Sequence, residues 1–538
     1  MDVIFTPLAD ALGASADQIK LIACLLISYP LGSLFIRIPD NQPNLKHLFN
    51  IAVTLFYFIP MLNLWDGLLQ LLFDVLVTYY VAKNVKGSSM PWVVFAIVFG
   101  HLTVNHVIRA IFQFSYETFE VTGPQMVLVM KLTTFAWNVQ DGRRPLADLD
   151  KWQTEKRVTA YPSLLAFLGY SFYFPGILVG PYIEYANYRD LVDGSVFKVI
   201  EKEDEARRAA VTVPGRSVPR GRKRVAYRKM ILGLIYLGLF VALGGQYNYA
   251  VATQDWFAKK NILYRIALFQ LCGFFERTKY YAIWTLTEGA AILTGLGFTG
   301  FGPGGNTRWE GAANVNVRII EFAPSMKVLL DSWNMKTNVW LRECVYKRVT
   351  PKGKKPGFKS SMITFLTSAF WHGIAAGYYL TFLLGGFVQT VGRLCRSNFR
   401  PLVLPPGYVE QRGGPPPPQT TAKRLYDFAG AVSATLMLNY MASAFMLLTW
   451  KDSILCWSRL GWYGHIMVIG PLAFFYLGGT KVIRKIQSAR AKKAGVTLSK
   501  KAVNGSAPTT PGVVPVLPPL DSVAKEVEKM KFAKSLRE

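Results

Sequence analysis

Long apolar runs, repeated along the whole chain, limit what this sequence can fold into. A helix that crosses the hydrocarbon core of a bilayer needs about 20 apolar residues. Runs that approach or exceed this length lie at about 19–36, 48–64, 67–82, 91–115, 160–181, 230–250, 262–275, 282–301, 361–391, 427–450 and 460–480. Backbone inside a bilayer must satisfy its own hydrogen bonds, which favours helices. The sequence therefore predicts an all-α polytopic transmembrane protein with about nine to eleven membrane helices, plus re-entrant or interfacial helices.

Composition agrees with this class of protein. Hydrophobic residues make up 51% of the chain and charged residues 17%, whereas soluble proteins average about 25% charged residues. The first 17 residues hold three aspartates and lack the basic segment of a cleavable signal peptide. We therefore expect the first run to remain in the protein as a membrane helix.

The net charge of +28 is concentrated in segments that flank the apolar runs. Eleven Lys/Arg and four acids lie between Lys198 and Lys229, and residues 347–359 hold six Lys/Arg and no acid. Nucleic-acid binding is one explanation of so basic a chain, but basic segments beside membrane runs fit cytosolic loops better. They would also attract anionic headgroups or an anionic cosubstrate. We expect no nucleic-acid partner.

These polar segments also predict the domain organisation. A membrane-embedded domain is expected over residues 1–484, with polar connecting loops at 189–229 and 400–425, the second rich in proline. Residues 485–538 are basic and proline-rich, so they are expected to form a mostly disordered cytosolic tail. The five cysteines form no CxxC pair and the five histidines form no HxxxH pair. No motif therefore requires a metal or a bound prosthetic group.

One histidine stands inside an apolar run. His372 follows Trp371 and precedes Gly373 in the run from Met362 to Val391. An ionisable group at membrane depth is costly and indicates a functional site. Because imidazole titrates near neutral pH, it can act as a general base in a dry pocket. His101 and His106 share another span but lie five residues apart, so we interpret them as structural.

Residues 302–360 are unusually polar for their position between membrane runs. They begin with a glycine-rich turn and continue with tryptophan, asparagine and charged residues, including Asp331, Asn338 and Arg342. This composition suits a cytosolic interfacial loop anchored by tryptophan. It equally suits a re-entrant lining of a cavity, where polar groups are tolerated at membrane depth.

The polar segment and the His372 run carry motifs of one family. Asp331-Ser332-Trp333-Asn334 with Asn338 and Trp340-Leu341-Arg342, and Trp371-His372-Gly373 with Gly377-Tyr378-Tyr379, resemble the two signature motifs of the membrane-bound O-acyltransferases (MBOAT). Gln125-Met126, Lys131-Leu132, Asn138 to Gly142, and Arg277-Thr278-Lys279-Tyr280-Tyr281 resemble its lysophospholipid acyltransferase branch, most closely the broad-specificity fungal enzymes. The resemblance covers roughly residues 15–480.

The resemblance implies a helical protein in the endoplasmic reticulum membrane that encloses a catalytic tunnel. It implies transfer of a fatty acyl group from acyl-CoA, a cosubstrate, to the free hydroxyl of lysophospholipids such as lysophosphatidylcholine and lysophosphatidylethanolamine. The sn-2 hydroxyl is the expected acceptor. His372 would be the general base, and Asn338 would either stabilise the thioester oxyanion or orient the acceptor.

Other polar and aromatic residues near these motifs are candidates for substrate binding. They are Trp371, Tyr378, Asn316, Glu321, Trp333, Arg342, Lys347 and Arg348. The aromatic residues could line the tunnel or pack in the core. Glu321 and Arg342 could instead belong to a buried ion-pair set. Lys347 and Arg348 could either bind the phosphates of CoA or belong to an ordinary cytosolic loop.

Two other functions fit parts of the sequence. A neutral-lipid acceptor is disfavoured because residues 328–334 share only part of the pattern of the sterol and diacylglycerol branch, and nothing in the sequence singles out a protein acceptor. A lipid transporter or scramblase would also contain intramembrane charge and broken helices. The sequence shows no repeated pair of interrupted spans, which counts against transport.

Overall fold

The computed structural model describes residues 2–114, 118–198, 218–302, 306–351, 358–406, 408 and 417–496, and these are mainly helical. The α-helices are α1 (Asp2–Leu12), α2 (Ala16–Phe35), α3 (Pro43–Phe56), α4 (Trp65–Asn84), α5 (Met90–Ile111), α6 (Thr122–Gly142), α7 (Lys151–Lys156), α8 (Leu164–Ser171), α9 (Phe174–Ile177), α10 (Tyr185–Val192), α11 (Ser195–Lys198), α12 (Arg222–Leu243), α13 (Asp255–Ala258), α14 (Ile262–Thr294), α15 (Val317–Glu321), α16 (Met326–Ser332), α17 (Met335–Trp340), α18 (Phe358–His372), α19 (Ala376–Val403), α20 (Thr421–Leu447), α21 (Trp450–Arg459), α22 (Tyr463–Phe474) and α23 (Thr480–Lys493).

Shorter elements complete the described chain. Turns of 3₁₀-helix occupy Leu146–Asp148, Tyr249–Thr253 and Glu310–Ala312, and π-helical turns occupy Tyr57–Met61, Leu341–Tyr346 and Phe475–Gly479. Strands β1 (Gly300–Phe301) and β2 (Thr307–Arg308) pair antiparallel, with Gly300 opposite Arg308. The tip of this hairpin, residues 303–305 of the predicted glycine-rich turn, lies outside the described residues.

The predicted fold class is confirmed: the chain is an all-α, polytopic integral membrane protein. Among the described residues, five helical segments are long and apolar enough to cross a bilayer, namely Ala16–Phe35, Met90–Ile111, Arg222–Leu243, Thr421–Leu447 and Tyr463–Lys493. Many of their large apolar side chains are exposed, such as Leu234, Ile235 and Phe428. Apolar side chains on a helix surface are stable there when lipid surrounds them.

Two of the apolar runs do not correspond to one helix each. The run at 262–275 is too short to cross a bilayer alone, and it forms the first half of α14, which is 33 residues long. Charged residues between this run and the run at 282–301 stay helical inside the protein. Arg277 is 6% exposed and donates from Nε to the Tyr281 hydroxyl at 3.2 Å. The run at 361–391 is divided into α18 and α19.

Helix α6 was missing from the predicted runs. Its polar residues lower the local hydropathy, yet most of the helix is buried among protein side chains. Lys131 is 2% exposed, and its Nζ donates to the carbonyl oxygens of Tyr170 and Ser171, the second at 2.9 Å. A helix surrounded by protein rather than lipid can carry such groups because its partners replace water.

The chain divides into two compact units. The first comprises residues 1–245, 277–315 and 371–374. In it the Tyr29 hydroxyl donates to the Leu286 carbonyl at 2.9 Å, beside a cluster of buried side chains from α2 and α14. Glu288, 2% exposed, pairs with Lys229 at 2.9 Å. The ion pair satisfies a carboxylate that would otherwise be costly to bury.

The second unit comprises residues 246–276, 316–370 and 375–538. Its helices α19 and α20 pack closely at Gly377, whose N–H donates to the Leu448 carbonyl at 2.7 Å. Helix α20 begins at Thr421, inside the predicted proline-rich connector at 400–425, and the Thr420 side chain accepts from Lys423 N. Residues 485–493 of the predicted tail are helical, and residues 497–538 lie outside the described residues.

Candidate active site

His372 is the last residue of α18, at the point where the helix stops. The next residue, Gly373, has a φ of +134°, which residues other than glycine rarely adopt. The chain then re-enters a helix at Ala376. The Trp-His-Gly sequence therefore ends a helix sharply and leaves His372 half-buried at its end.

Trp371 fixes this helix end inside the first unit. Its indole Nε1 donates to the Met126 carbonyl of α6 at 3.0 Å, and its own carbonyl lies 3.2 Å from Nε2 of His106 on α5. The Trp371 ring also meets the His372 ring edge-on, with centroids 4.6 Å apart. Because Trp371 is 5% exposed and bonded at both ends, it positions the imidazole that follows it.

The two histidines of α5 have separate partners, as expected from their spacing. His101 Nδ1 lies 2.8 Å from Oδ1 of Asp74, and the other oxygen of this carboxylate accepts from Gln125 at 3.0 Å. His106 contacts the Trp371 carbonyl instead. His101 therefore belongs to a buried polar network, while His106 supports the end of α18.

Asn338 is held by backbone atoms in the second unit. Its Nδ2 donates to the carbonyl oxygens of Leu330 at 2.6 Å and Trp333 at 2.9 Å. Two carbonyl acceptors fix the amide orientation, because turning it over would place oxygen against oxygen. Both amide hydrogens are thus used to join α17 to the end of α16, and Oδ1 remains available to accept a hydrogen bond.

The turn between these two helices contains strain and a perturbed acid. Asn334 has a φ of +44°, and its Oδ1 accepts from the Thr337 hydroxyl at 2.8 Å. Asp331 ends beside Lys327, whose Nζ lies 2.8 Å from Oδ2. Burial nevertheless raises the pKa of Asp331 to about 6. Asp331 is therefore closer to protonation at neutral pH than a free aspartate.

Glu343 organises most of the basic residues predicted to bind substrate. It is 1% exposed and accepts from Arg342 Nε at 2.7 Å and from Lys347 Nζ at 2.6 Å. Its backbone carbonyl also accepts from Arg348 Nε at 3.0 Å. Glu343 was not among the predicted site residues, although its spacing of four residues from Lys347 was a usable signal.

The other predicted substrate-binding residues lie in ordinary structural positions within the second unit. Asn316 is exposed and caps α15, its Oδ1 accepting from Ile319 N at 3.2 Å. Glu321 is the last residue of the same short helix. Trp333 follows α16, and the Tyr378 ring packs against Phe445 with centroids 4.8 Å apart.

Metal ligands were not predicted by any motif. Within the part of the chain that the structure describes, no three His, Cys, Asp or Glu side chains are arranged to hold a metal ion. None of the five cysteines, all of which lie in the described residues, forms a disulfide, and four of them are buried. The polar side chains of the two motifs are the imidazole of His372, the amide of Asn338 and the groups that pair with Glu343.

Comparisons with known proteins match the whole region that holds both motifs. The sequence profile of the membrane-bound O-acyltransferase family covers residues 41–409. Over 475 residues the chain is 40% identical to the lysophospholipid acyltransferase of Schizosaccharomyces pombe, covering 88% of this chain and 89% of the relative. It is 34% identical to the lysophospholipid acyltransferase of Saccharomyces cerevisiae, covering 96% and 83%.

A more distant relative extends the similarity beyond fungi. The chain is 28% identical to membrane-bound glycerophospholipid O-acyltransferase 1 of Mus musculus, covering 92% of this chain and 96% of the relative. His372 and Asn338 both lie within the matched range of the family profile. The resemblance seen in the two motifs is confirmed, and the chain belongs to the membrane-bound O-acyltransferase family.

Proposed function

We propose that this protein is a lysophospholipid acyltransferase that moves a fatty acyl group from acyl-CoA to the free hydroxyl of a lysophospholipid. The observation that carries the proposal is His372, placed at the broken end of α18 and supported by the bonded side chain of Trp371. The fungal relatives named lysophospholipid acyltransferase, similar over most of the chain, support the choice of acceptor.

In the proposed reaction His372 is the general base. A lipid hydroxyl is a weak nucleophile at neutral pH, so the imidazole removes its proton as the oxygen attacks the thioester carbonyl. The tetrahedral intermediate then collapses, the carbon–sulfur bond breaks, and the CoA thiolate leaves. His372 returns the proton to the thiolate, which gives the new ester and free CoA and restores the neutral imidazole.

Asn338 is proposed as a positioning residue. Its two amide hydrogens bond the backbone of the turn after α16, which favours orientation over direct donation to an oxyanion. The free Oδ1 can accept a hydrogen bond, for example from the hydroxyl of an acceptor lipid. A hydrogen bond accepted by Oδ1 requires the side-chain amide to keep its present orientation.

Asn338→Asp is expected to lower acyl transfer at least tenfold and to reduce the melting temperature. The replacement removes two hydrogen bonds, each worth about 1 kcal/mol net, and sets a carboxylate against two carbonyl oxygens. Asn316→Asp is the matched control, because aspartate caps a helix as well as asparagine does. Activity and thermal unfolding of both variants in detergent measure the difference. Equal behaviour of the two variants would contradict the role of Asn338.

The proposed function is tested by thiol release from oleoyl-CoA with purified protein. We expect release that depends on lysophosphatidylcholine or lysophosphatidylethanolamine, with the new ester at sn-2 when the acceptor carries its acyl chain at sn-1. Acceptor-independent release, or none with any lysophospholipid headgroup class, would exclude the proposal. Diacylglycerol in the same assay tests a neutral-lipid acceptor.

The endoplasmic reticulum membrane is the proposed location, with the basic loops and the C-terminal tail in the cytosol. Lys481, Arg484 and Lys485 follow the last apolar helix and favour the cytosolic side under the positive-inside rule. Asn504-Gly505-Ser506 is a glycosylation sequon in that tail. We predict that glycosidase treatment leaves the electrophoretic mobility unchanged, because a cytosolic sequon is not modified. A shift would reverse the orientation.

A further inference from the structure

Arg393, in the last part of α19, is half-buried, and part of its guanidinium has no hydrogen-bond partner among the described residues. Its guanidinium nitrogens Nε and Nη2 are inaccessible, and neither has a hydrogen-bond partner among the described residues. Buried polar groups in native proteins are nearly always bonded to protein, water or a ligand. These two nitrogens can therefore donate hydrogen bonds to a ligand.

The predicted basic residues of the neighbouring segment differ from Arg393 in this respect. Arg342 and Lys347 are already neutralised by the buried carboxylate of Glu343. Their charges are therefore only partly available to another anion. Arg393 has no such carboxylate in the described part of the second unit, so its full charge remains available.

The surroundings of Arg393 favour an anion. Arg396 and Arg400 follow on the same face of α19, and both act electrostatically on Tyr426 of α20. The nearby acid Asp427 is paired with Lys423. Residues 391–403 contain three arginines and no acid. The basic helix α23, also without an acid, packs on this end of α19 through Gln487 and Arg490, whose side chains donate to α19 carbonyls at 2.6 and 3.0 Å.

Tyr346 supplies a second group at this position. It ends the π-helical turn Leu341–Tyr346 and lies within electrostatic range of the Arg393 guanidinium. A hydroxyl and a guanidinium together offer hydrogen-bond donors that match phosphate oxygens. A carboxylate ligand would use the same donors, but the clustered positive charge suits a group with more than one negative charge.

We propose that the Arg393 guanidinium and the Tyr346 hydroxyl bind a phosphate group. Two sources carry this chemistry: the phosphates of the CoA donor and the headgroup of an anionic membrane phospholipid. The first source rests on the proposed acyl transfer, and the second does not. The site differs from the motif residues because it lies on α19 and binds its ligand by charge, without taking part in proton transfer.

The test compares Arg393→Gln and Arg393→Lys with wild type in two binding experiments that need no acyl transfer. In detergent, thermal shifts with CoA and with dephospho-CoA, which lacks the 3′-phosphate, report the first source. In nanodiscs of phosphatidylcholine with or without phosphatidylinositol, thermal shifts report the second. We expect Arg393→Gln to weaken binding of one ligand about 10- to 100-fold, the effect of losing a charge-assisted hydrogen bond. Arg393→Lys should keep part of it.

The controls separate a lost site from a damaged fold. Lys485→Gln removes one exposed charge from the basic helix and should bind like wild type. Without ligand, Arg393→Gln should melt at or above the wild-type temperature, because it removes a half-buried charge that has no carboxylate partner among the described residues. Unchanged binding of both ligands by Arg393→Gln would overturn the proposal. Wild-type protein that binds CoA but transfers no acyl group would instead refute the proposed function and leave the phosphate site standing.

Discussion

Replacing His372 with alanine is expected to lower kcat by about 100- to 10,000-fold, the contribution of a general base. KM for either substrate should change little, because proton removal stabilises the transition state and not the bound ground state. The fold should persist, since the contacts that hold the end of α18 are made by the neighbouring Trp371. Steady-state rates and thermal unfolding of the purified variant are the measurements.

A second histidine provides the control for this result. His465 also lies on an apolar helix, α22, and its Nδ1 is 2.7 Å from the Tyr440 hydroxyl. His465→Ala should lose that hydrogen bond and some stability while retaining transfer. If His372→Ala keeps wild-type kcat, or if His465→Ala loses as much, the assignment of His372 as the base is wrong.

Gly377→Ala is expected to destabilise the protein by about 3 kcal/mol or more, the upper end of overpacking effects. A Cβ at this position would lie 1.9 Å from the Ala444 carbonyl oxygen of α20. The obstacle is backbone, so no side chain can rotate away, and the bond from Gly377 N to Leu448 O at 2.7 Å would have to lengthen. We expect a low yield of monodisperse protein and a lower melting temperature in detergent.

The same helix contains a glycine with the opposite expectation. A Cβ on Gly392 would meet no atom within 4 Å. Gly392→Ala should be neutral or stabilising by up to about 1 kcal/mol, because alanine favours the helix. Equal melting temperatures for the two variants would show that the close contact of α19 with α20 is not required.

Hydropathy predicted the class of protein well because lipid selects apolar helices. It located the ends of α2 and α5 within about four residues, and it placed α12 and α20 too late along the chain, by up to about eight residues. It missed α6, whose surroundings are protein rather than lipid, and it divided α14 at charged residues that are bonded inside the fold. Local hydropathy indicates whether a helix faces lipid, but it does not indicate which polar groups are hydrogen-bonded inside the protein.

The site was predictable only as far as its motifs reached. The sequence located His372 inside an apolar run, and it did not show that a helix ends at this residue. It could not show that the Asn338 hydrogens bond two carbonyls, or that Glu343 engages Arg342 and Lys347. Those facts depend on how short helices fold back on themselves, which the sequence pattern does not specify.

The position of His372 at the last residue of α18 has an electrostatic consequence. The final carbonyls of a helix have no partners within it, and together they act as about half a negative charge at its C-terminal end. A proton taken up by His372 would therefore arrive where the backbone already favours a cation. Such helix ends stabilise an imidazolium by about 0.3–2 kcal/mol, depending on exposure. The sharp stop at Gly373 thus contributes charge as well as shape.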